Sequence, residues 1–345
     1  MKTLLFSILL FSVLFLISCS SVKYETIYPT LSDGRYDSEF PYRGCSEQLA
    51  EIGESLKRIN SIAFYTTYVF SSDEKITIDT KEEEVFKKYS KDILNTSQSS
   101  SGTGLVINTQ DGNLALLTCA HVVDFPDTLY SYFQEEDGSL LYLESISIKK
   151  KQSNYINHKP KGAELEIIAV DEKADIAVLY SKIEAEYAYT YLPFGYPDGK
   201  AKELEWGSFV YVYGFPMNYK MLSRAIVSSP NSDDRGAFLI DAVFNRGFSG
   251  GVVLAVRDGV PNFELVGIVK SVPAEKELIL KPKELTGNYR YSPDVPYSGE
   301  MYVQTELSMK YGITRIIPVE AIEEFLKENS DKLLKKGIIL ENTYN

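Results

Sequence analysis

A serine enclosed by glycines is the feature that most constrains how this 345-residue chain can fold. Residues 245–251 read Asn-Arg-Gly-Phe-Ser-Gly-Gly. Gly247 can bend its peptide so that its N–H group and that of Ser249 converge, as an oxyanion hole for a tetrahedral acyl intermediate requires. Gly250 and Gly251 keep the chain behind the serine narrow enough for a substrate strand to approach. Such a run also occurs in ordinary turns, so it predicts catalysis only together with other motifs.

Two apolar stretches supply the partners that a serine nucleophile needs. His121 follows Leu-Leu-Thr-Cys-Ala, and Asp175 stands in an apolar, strand-like Ala-Asp-Ile-Ala-Val-Leu. A serine hydroxyl needs a base that works near neutral pH, and the base needs a carboxylate to fix its tautomer. Without the other motifs, the surroundings of His121 are typical of a histidine in the core. Those of Asp175 are typical of a carboxylate that accepts hydrogen bonds from the backbone. The order His121, Asp175, Ser249 predicts a catalytic triad.

This order is that of the chymotrypsin-like proteases. The chain resembles the trypsin-like peptidases and, within them, the bacterial HtrA/DegP-like branch. The resemblance rests on the stretches above, on Ser-Gly-Thr-Gly at 101–104 and on Gly-Ile-Thr-Arg-Ile-Ile-Pro at 312–318. It covers roughly residues 62–318 and implies an all-β fold of two antiparallel six-stranded β-barrels. Short strands with frequent turns also favour antiparallel barrels over a parallel sheet.

The expected peptidase domain spans residues 45–345. Its first barrel lies at about 60–190, its second at about 200–318, and a C-terminal helix at 319–335. Apolar spacing predicts an N-terminal helix from Ser46 to Ile59. The segment after residue 335 is too short for a PDZ domain, so substrate choice is expected to depend on barrel loops.

Two stretches of the domain are expected to be loops. Residues 73–100 are polar and charged and are predicted to form a long loop that carries a short helix at 81–94. Residues 273–301 are rich in Lys, Pro and Tyr and are predicted to be an inserted loop.

The resemblance also places a specificity pocket. Val243 stands where the family has the base of that pocket, and Ile268 lies nearby, which implies a preference for small or medium aliphatic side chains. Phe248 replaces the aspartate that in secreted trypsins pairs with a freed N-terminus, and Val252 replaces the usual proline. These departures leave open whether the oxyanion loop is formed at rest.

The N-terminus reads as a lipoprotein signal. Residues 1–18 combine one lysine with an apolar run that is short for a spanning helix. The run ends in Leu-Ile-Ser-Cys, which resembles a bacterial lipobox and implies that Cys19 is diacylated and anchors the chain to a membrane of the bacterial cell envelope. Residues 19–44 are then a tether. The alternative is an ordinary cleaved signal with an incidental cysteine.

Composition excludes some classes of function. The net charge of −12 argues against nucleic-acid binding, which needs a basic surface. Two histidines and no clustered thiols make a zinc site improbable, and no cofactor is expected. Cys45 and Cys119 could pair in an oxidising compartment, but Cys119 also fits a small buried hydrophobe.

The leading hypothesis is a secreted, lipid-anchored serine endopeptidase that acts on protein or peptide substrates. The alternative is a binding or scaffold lipoprotein on the same fold, with catalysis weak or lost. A non-proteolytic esterase would use the same residues.

Overall fold

The computed structural model describes most of the chain from residue 29 onward. The described residues are 29–80, 82–133, 140–157, 162–242, 245–271, 274–282, 294, 296, 298–299, 301–309 and 312–340. The predicted signal and Cys19 lie outside them. Among the described helices, none combines the length and the apolar character that crossing a bilayer requires.

The first barrel is a closed ring of six antiparallel strands in the order β1-β2-β3-β7-β6-β5, with β1 and β5 pairing to close it. A seventh strand, β4, pairs with β5 outside the ring. The strands are β1 Leu56–Val69, β2 Asp92–Asn108, β3 Asn113–Thr118, β4 Thr128–Tyr132, β5 Leu143–Ile156, β6 Ala163–Asp171 and β7 Ile176–Lys182.

The second barrel is also closed, in the order β10-β15-β12-β11-β8-β9. Its strands are β8 Phe209–Gly214, β9 Met221–Ser229, β10 Phe238–Ile240, β11 Val252–Val256, β12 Phe263–Ser271 and β15 Thr314–Pro318. The predicted all-β fold of two six-stranded antiparallel barrels is therefore confirmed.

Successive side chains of the second-barrel strand β8 contribute alternately to two different cores, which explains how the barrels pack. In β8, Val210 and Val212 belong to the core of the second barrel, while Phe209 and Tyr211 belong to the core shared with the first barrel. Successive side chains of a strand point to opposite faces, so β8 is buried on both. Its uninterrupted apolar sequence reflects that double burial.

The helices are α1 Ser46–Glu54, α2 Glu83–Tyr89, α3 Ala120–Val123, α4 Ala185–Ala188, α5 Val319–Glu328 and α6 Ser330–Lys335. The N-terminal helix is shorter than predicted, because Leu56 and Ile59 pair with β2 as part of β1. Ser55 ends the helix by donating its hydroxyl to the carbonyl of Ile52 at 2.7 Å.

The predicted C-terminal helix is present but divided at Asn329. Its side-chain amide donates to the carbonyl of Phe325 at 2.9 Å, which provides a local alternative to the helical pattern. The first of the two segments, α5, buries Ile322 and Phe325 against the barrels.

Both predicted loops contain strands. Residues 92–100 belong to β2 and pair with β1 through their backbones, although almost all of their side chains are exposed. Part of the predicted insertion is β13, Ala274–Pro282, which pairs with β14, Met301–Met309, in a separate two-stranded sheet. The strand in β2 was missed because a polar ladder lacks the apolar alternation by which strands are recognised.

Candidate active site

The structure brings His121, Asp175 and Ser249 together between the two barrels. The Nε2 atom of His121 lies 2.8 Å from the Ser249 hydroxyl oxygen, and its Nδ1 atom lies 2.9 Å from each carboxylate oxygen of Asp175. The Asp175 side chain is buried, whereas that of His121 is 44% exposed. The histidine can therefore reach solvent while its orienting carboxylate is shielded from it.

Asp175 is positioned by an unusual backbone conformation. It lies in the turn just before β7, not inside a strand as the sequence pattern suggested, and its φ is 64°. Asp and Asn tolerate this left-handed region better than most residues. Its carboxylate also accepts the backbone N–H of His121 at 3.0 Å, while its carbonyl accepts that of Ala120 at 3.1 Å. The turn is thus bonded directly to α3, which carries the histidine.

The glycines around Ser249 fit a crowded turn. Gly247 has a φ of 103°, and a Cβ atom there would overlap the carbonyl oxygen of Phe215. Gly250 has a φ of 80°, and a Cβ there would overlap the carbonyl oxygen of Thr103. Glycine is required at both positions because each combines a left-handed backbone with contact to another segment.

The predicted oxyanion donors are the N–H groups of Gly247 and Ser249. Neither makes a hydrogen bond to another described residue. The peptide that joins Arg246 to Gly247 is held in place by a hydrogen bond. The carbonyl oxygen of Arg246 accepts the N–H of Met217 at 2.8 Å. The carbonyl and N–H of a trans peptide point in opposite directions, so this bond turns the Gly247 N–H away from Met217.

Thr103 is a functional-site residue that the sequence reasoning missed. Its buried hydroxyl donates to the carbonyl of Gly247 at 2.8 Å and accepts the N–H of Phe215 at 2.9 Å. Its own N–H donates to the carbonyl of Ser249 at 2.8 Å. A strand of the first barrel thereby fixes the serine loop of the second. The available signal was a hydroxyl residue between two glycines in the motif at 101–104.

Phe248 and Val252 are both buried in the barrel cores. Phe248 packs into the second-barrel core, where secreted trypsins would have an ion-paired aspartate. Apolar packing therefore anchors the serine loop at this position. The Arg246 side chain, by contrast, is exposed.

Of the two residues predicted to form the specificity pocket, the structure describes Ile268. Val243 lies outside the described residues. Ile268 is fully buried in β12, opposite Val252 and Ile317. The aliphatic preference stays a prediction.

Cys45 and Cys119 are unpaired and buried. The thiol of Cys45 lies 3.6 Å from the Tyr211 hydroxyl, and that of Cys119 donates to the carbonyl of Val269 at 3.2 Å. Ligand atoms of Cys119, His121 and Asp175 lie within 4.8 Å of one another, a spacing that a metal could bridge. Burial, and then the Asp175 charge, raise the pKa of the Cys119 thiol well above its ordinary value, which disfavours the thiolate that metals bind.

Comparison with known proteins agrees with this geometry. The family model described as a trypsin-like peptidase domain matches residues 102–268, just under half of the chain. That span contains His121, Asp175 and Ser249. No curated protein matches the chain. The matched domain and the two closed six-stranded barrels together support a chymotrypsin-fold serine protease.

Proposed function

We propose that this protein is a serine endopeptidase of the HtrA-like type, secreted and anchored to a membrane of the bacterial cell envelope through Cys19. One observation carries the catalytic part of the proposal. The Ser249 hydroxyl lies 2.8 Å from His121 Nε2 while the Asp175 carboxylate holds Nδ1 on the other side of the ring. These are the contacts through which a histidine acts as a base toward a serine.

The reaction follows from those contacts. The Ser249 oxygen attacks the scissile carbonyl carbon, and its proton passes to His121 Nε2. His121 then gives this proton to the leaving amine as the carbon–nitrogen bond breaks, which leaves an acyl-enzyme. A water molecule then attacks the acyl-enzyme carbonyl carbon in the same way and gives its proton to His121. The bond to the Ser249 oxygen breaks, the serine regains its proton from His121, and the carboxylic acid product leaves. Asp175 accepts the Nδ1 proton in a hydrogen bond throughout, which fixes the tautomer and stabilises the charged ring.

The N–H groups of Gly247 and Ser249 are proposed to bind the oxyanion. Both are free of described acceptors, and the Met217–Arg246 hydrogen bond turns the Gly247 N–H to one side of its peptide. Donors held in place before the reaction need no reorganisation when charge develops on the substrate oxygen.

The alternative, a binding or scaffold protein with weak or lost catalysis, has less support. A binding role requires neither the short Ser249–His121 contact nor two free N–H groups beside the serine. An esterase would use the same residues, and substrate comparison separates it from a peptidase.

The catalytic proposal is tested by a fluorophosphonate probe and intact-mass analysis of the full chain. We expect one adduct on the native protein and none on Ser249→Ala or His121→Ala. Exposed Asp124, changed to Asn, serves as the control and should label like the native protein. If the native protein forms no adduct, with or without candidate peptides present, the alternative is favoured.

The anchor needs its own test, because residues 1–28 lie outside the described part of the chain. In a bacterial host, the native chain should fractionate with membranes and gain the mass of a diacylglycerol group. Cys19→Ala should lose both properties while keeping the reactive serine. Membrane association of this variant equal to that of the native chain would contradict lipid anchoring.

A further inference from the structure

A small cavity beside the triad has four cationic residues in its lining. It has a volume of about 60 Å³. Its cationic lining residues come from four separate segments of the chain: Lys173, Arg235, Lys270 and Arg315. One water molecule needs a volume of roughly 10–15 Å³. The cavity is therefore large enough for a carboxylate group but too small for an entire large side chain.

Most of these cations form no ion pair within the described residues. No ion pair joins the side chains of Lys173, Arg235 or Arg315 to a described carboxylate. The nearest acid of Lys270 is Asp175, whose carboxylate lies 4.0 Å from Lys270 Nζ.

Asp233 is the one described carboxylate that lines the cavity. Its Oδ1 atom accepts the backbone N–H groups of Arg235 and Ala237, both at 3.0 Å, and so holds the turn that carries Arg235. It is therefore engaged with the backbone and does not form an ion pair with any of the four cations.

The cluster is unexpected for an acidic chain. The protein has 48 acidic and 36 basic residues, so carboxylates to neutralise a surface cation are abundant. Four cationic residues line the cavity with a single, backbone-bonded carboxylate, so its lining carries excess positive charge that an added anion would offset. Arginine also offers a planar pair of donors that matches a carboxylate.

The cavity adjoins the catalytic groups. Lys173 and Ala174 line it and directly precede Asp175. Lys270 also lines it, and the carbonyl oxygen of Lys270 accepts the Ser249 hydroxyl at 3.3 Å. A polypeptide bound at Ser249 would therefore pass within side-chain reach of the cations.

We propose that this cavity binds an acidic side chain of the polypeptide substrate, several residues away from the bond that Ser249 attacks. The inference rests on the proposed function and adds to it a substrate class: polypeptides with a glutamate or aspartate at one fixed distance from the cleavage site. The aliphatic preference predicted for the primary pocket is separate from this contact.

The test measures binding, so that it does not depend on hydrolysis. The full-chain Ser249→Ala protein is titrated with fluorescent peptides that differ in the position of a single Glu. Each peptide has a control in which Gln replaces that Glu. We expect one position at which Glu binds up to about fivefold more tightly than Gln, the upper end of what a solvent-accessible ion pair contributes. Added salt and inorganic phosphate should weaken the Glu peptide selectively.

Variants locate the contact. Arg315→Gln and Lys173→Gln should remove most of the Glu preference, whereas the exposed Lys91→Gln, which removes one positive charge elsewhere, should keep it. Arg315→Glu should abolish the Glu preference, because its carboxylate pairs with the remaining cations of the cavity. Binding of the Gln peptides at the level of the parent protein shows that this variant is folded.

The outcomes separate this inference from the proposed function. A fluorophosphonate adduct on the native protein, together with equal binding of Glu and Gln peptides at every position, overturns the cavity assignment alone. A Glu preference that survives in the cavity variants also overturns it, as does phosphate binding without any Glu preference. Absence of both the adduct and peptide binding overturns both proposals.

Discussion

The N–H of Met217 donates to the carbonyl of Arg246 at 2.8 Å, and this bond orients the peptide that ends at the Gly247 nitrogen. Met217 itself has a φ of 49°. A turn after β8 therefore holds the oxyanion loop by its backbone, so the loop is bonded to the barrel without substrate. This relationship and the Thr103 contacts lead to two predictions about the oxyanion loop.

Gly247→Ala should abolish most activity while leaving the barrels folded. Its Cβ would overlap the Phe215 carbonyl oxygen, and alanine disfavours the φ of 103°, so the loop must shift. Loss of one oxyanion donor lowers kcat by about 10²–10³ in comparable sites. Peptide hydrolysis checks this, with circular dichroism as the folding control. Unchanged kcat would show that the Gly247 N–H is not a donor.

Thr103→Val should weaken both stability and catalysis. It removes a buried hydroxyl that bridges Gly247 and Phe215, and the Phe215 N–H is left without its acceptor. We expect a loss of about 1–3 kcal/mol in the free energy of unfolding, measured in urea. Thr103→Ser keeps the hydroxyl and should recover most of kcat. If serine fails as fully as valine, the hydroxyl is not the cause.

Asp175→Asn should lower kcat by about 10⁴ with little change in stability, because the amide stabilises the wrong histidine tautomer. Asparagine tolerates the φ of 64° at this turn, so the variant isolates chemistry from backbone strain. Asp175→Ala adds that strain and should also unfold at lower urea concentration. Activity of the Asn variant within tenfold of native would argue against this aspartate as the orienting group.

Asp37→Asn should change how stability depends on pH. Burial, followed by repulsion from Glu39, Asp258 and Asp33, raises the pKa of Asp37 from 3.8 to about 6. Its Oδ2 atom accepts the Gly259 N–H at 3.0 Å, while Oδ1 has no hydrogen-bond partner among the described residues.

Because the folded pKa is raised, the stability contributed by protonated Asp37 is complete below about pH 4 and lost as pH rises through 6. Urea unfolding between pH 4 and 7 should show the native protein losing about 1–2 kcal/mol relative to the Asn variant. Parallel curves for the two proteins would contradict the raised pKa.

Burial leaves a clear pattern in most of the strands, which favoured antiparallel barrels, whereas the number of barrels and of strands followed from the resemblance to the trypsin-like peptidases. The continuous apolar runs of β8 and β11 and the glycine-bracketed serine follow directly from double burial and a crowded turn. The polar part of β2 could not be found this way, because its strand character comes from pairing with β1. Likewise, the break at Asn329 depends on one local side-chain bond.

The candidate site shows a similar division. Residue types and order pointed to His121, Asp175 and Ser249, since each has a distinct chemical signature. Thr103 and Met217 carry no such signature, because they act through single hydrogen bonds to backbone atoms of distant segments. The cationic cavity was missed for a different reason: its four cationic residues are dispersed along the sequence.

The bond from the Thr103 N–H to the Ser249 carbonyl crosses from one barrel to the other. His121 and Asp175 come from the first barrel, whereas the serine and its glycines come from the second. A nascent chain that has folded only its first half would therefore contain a base without a nucleophile. The base and the nucleophile meet only when both barrels have folded and packed together, which protects a half-folded chain and its neighbours from cleavage.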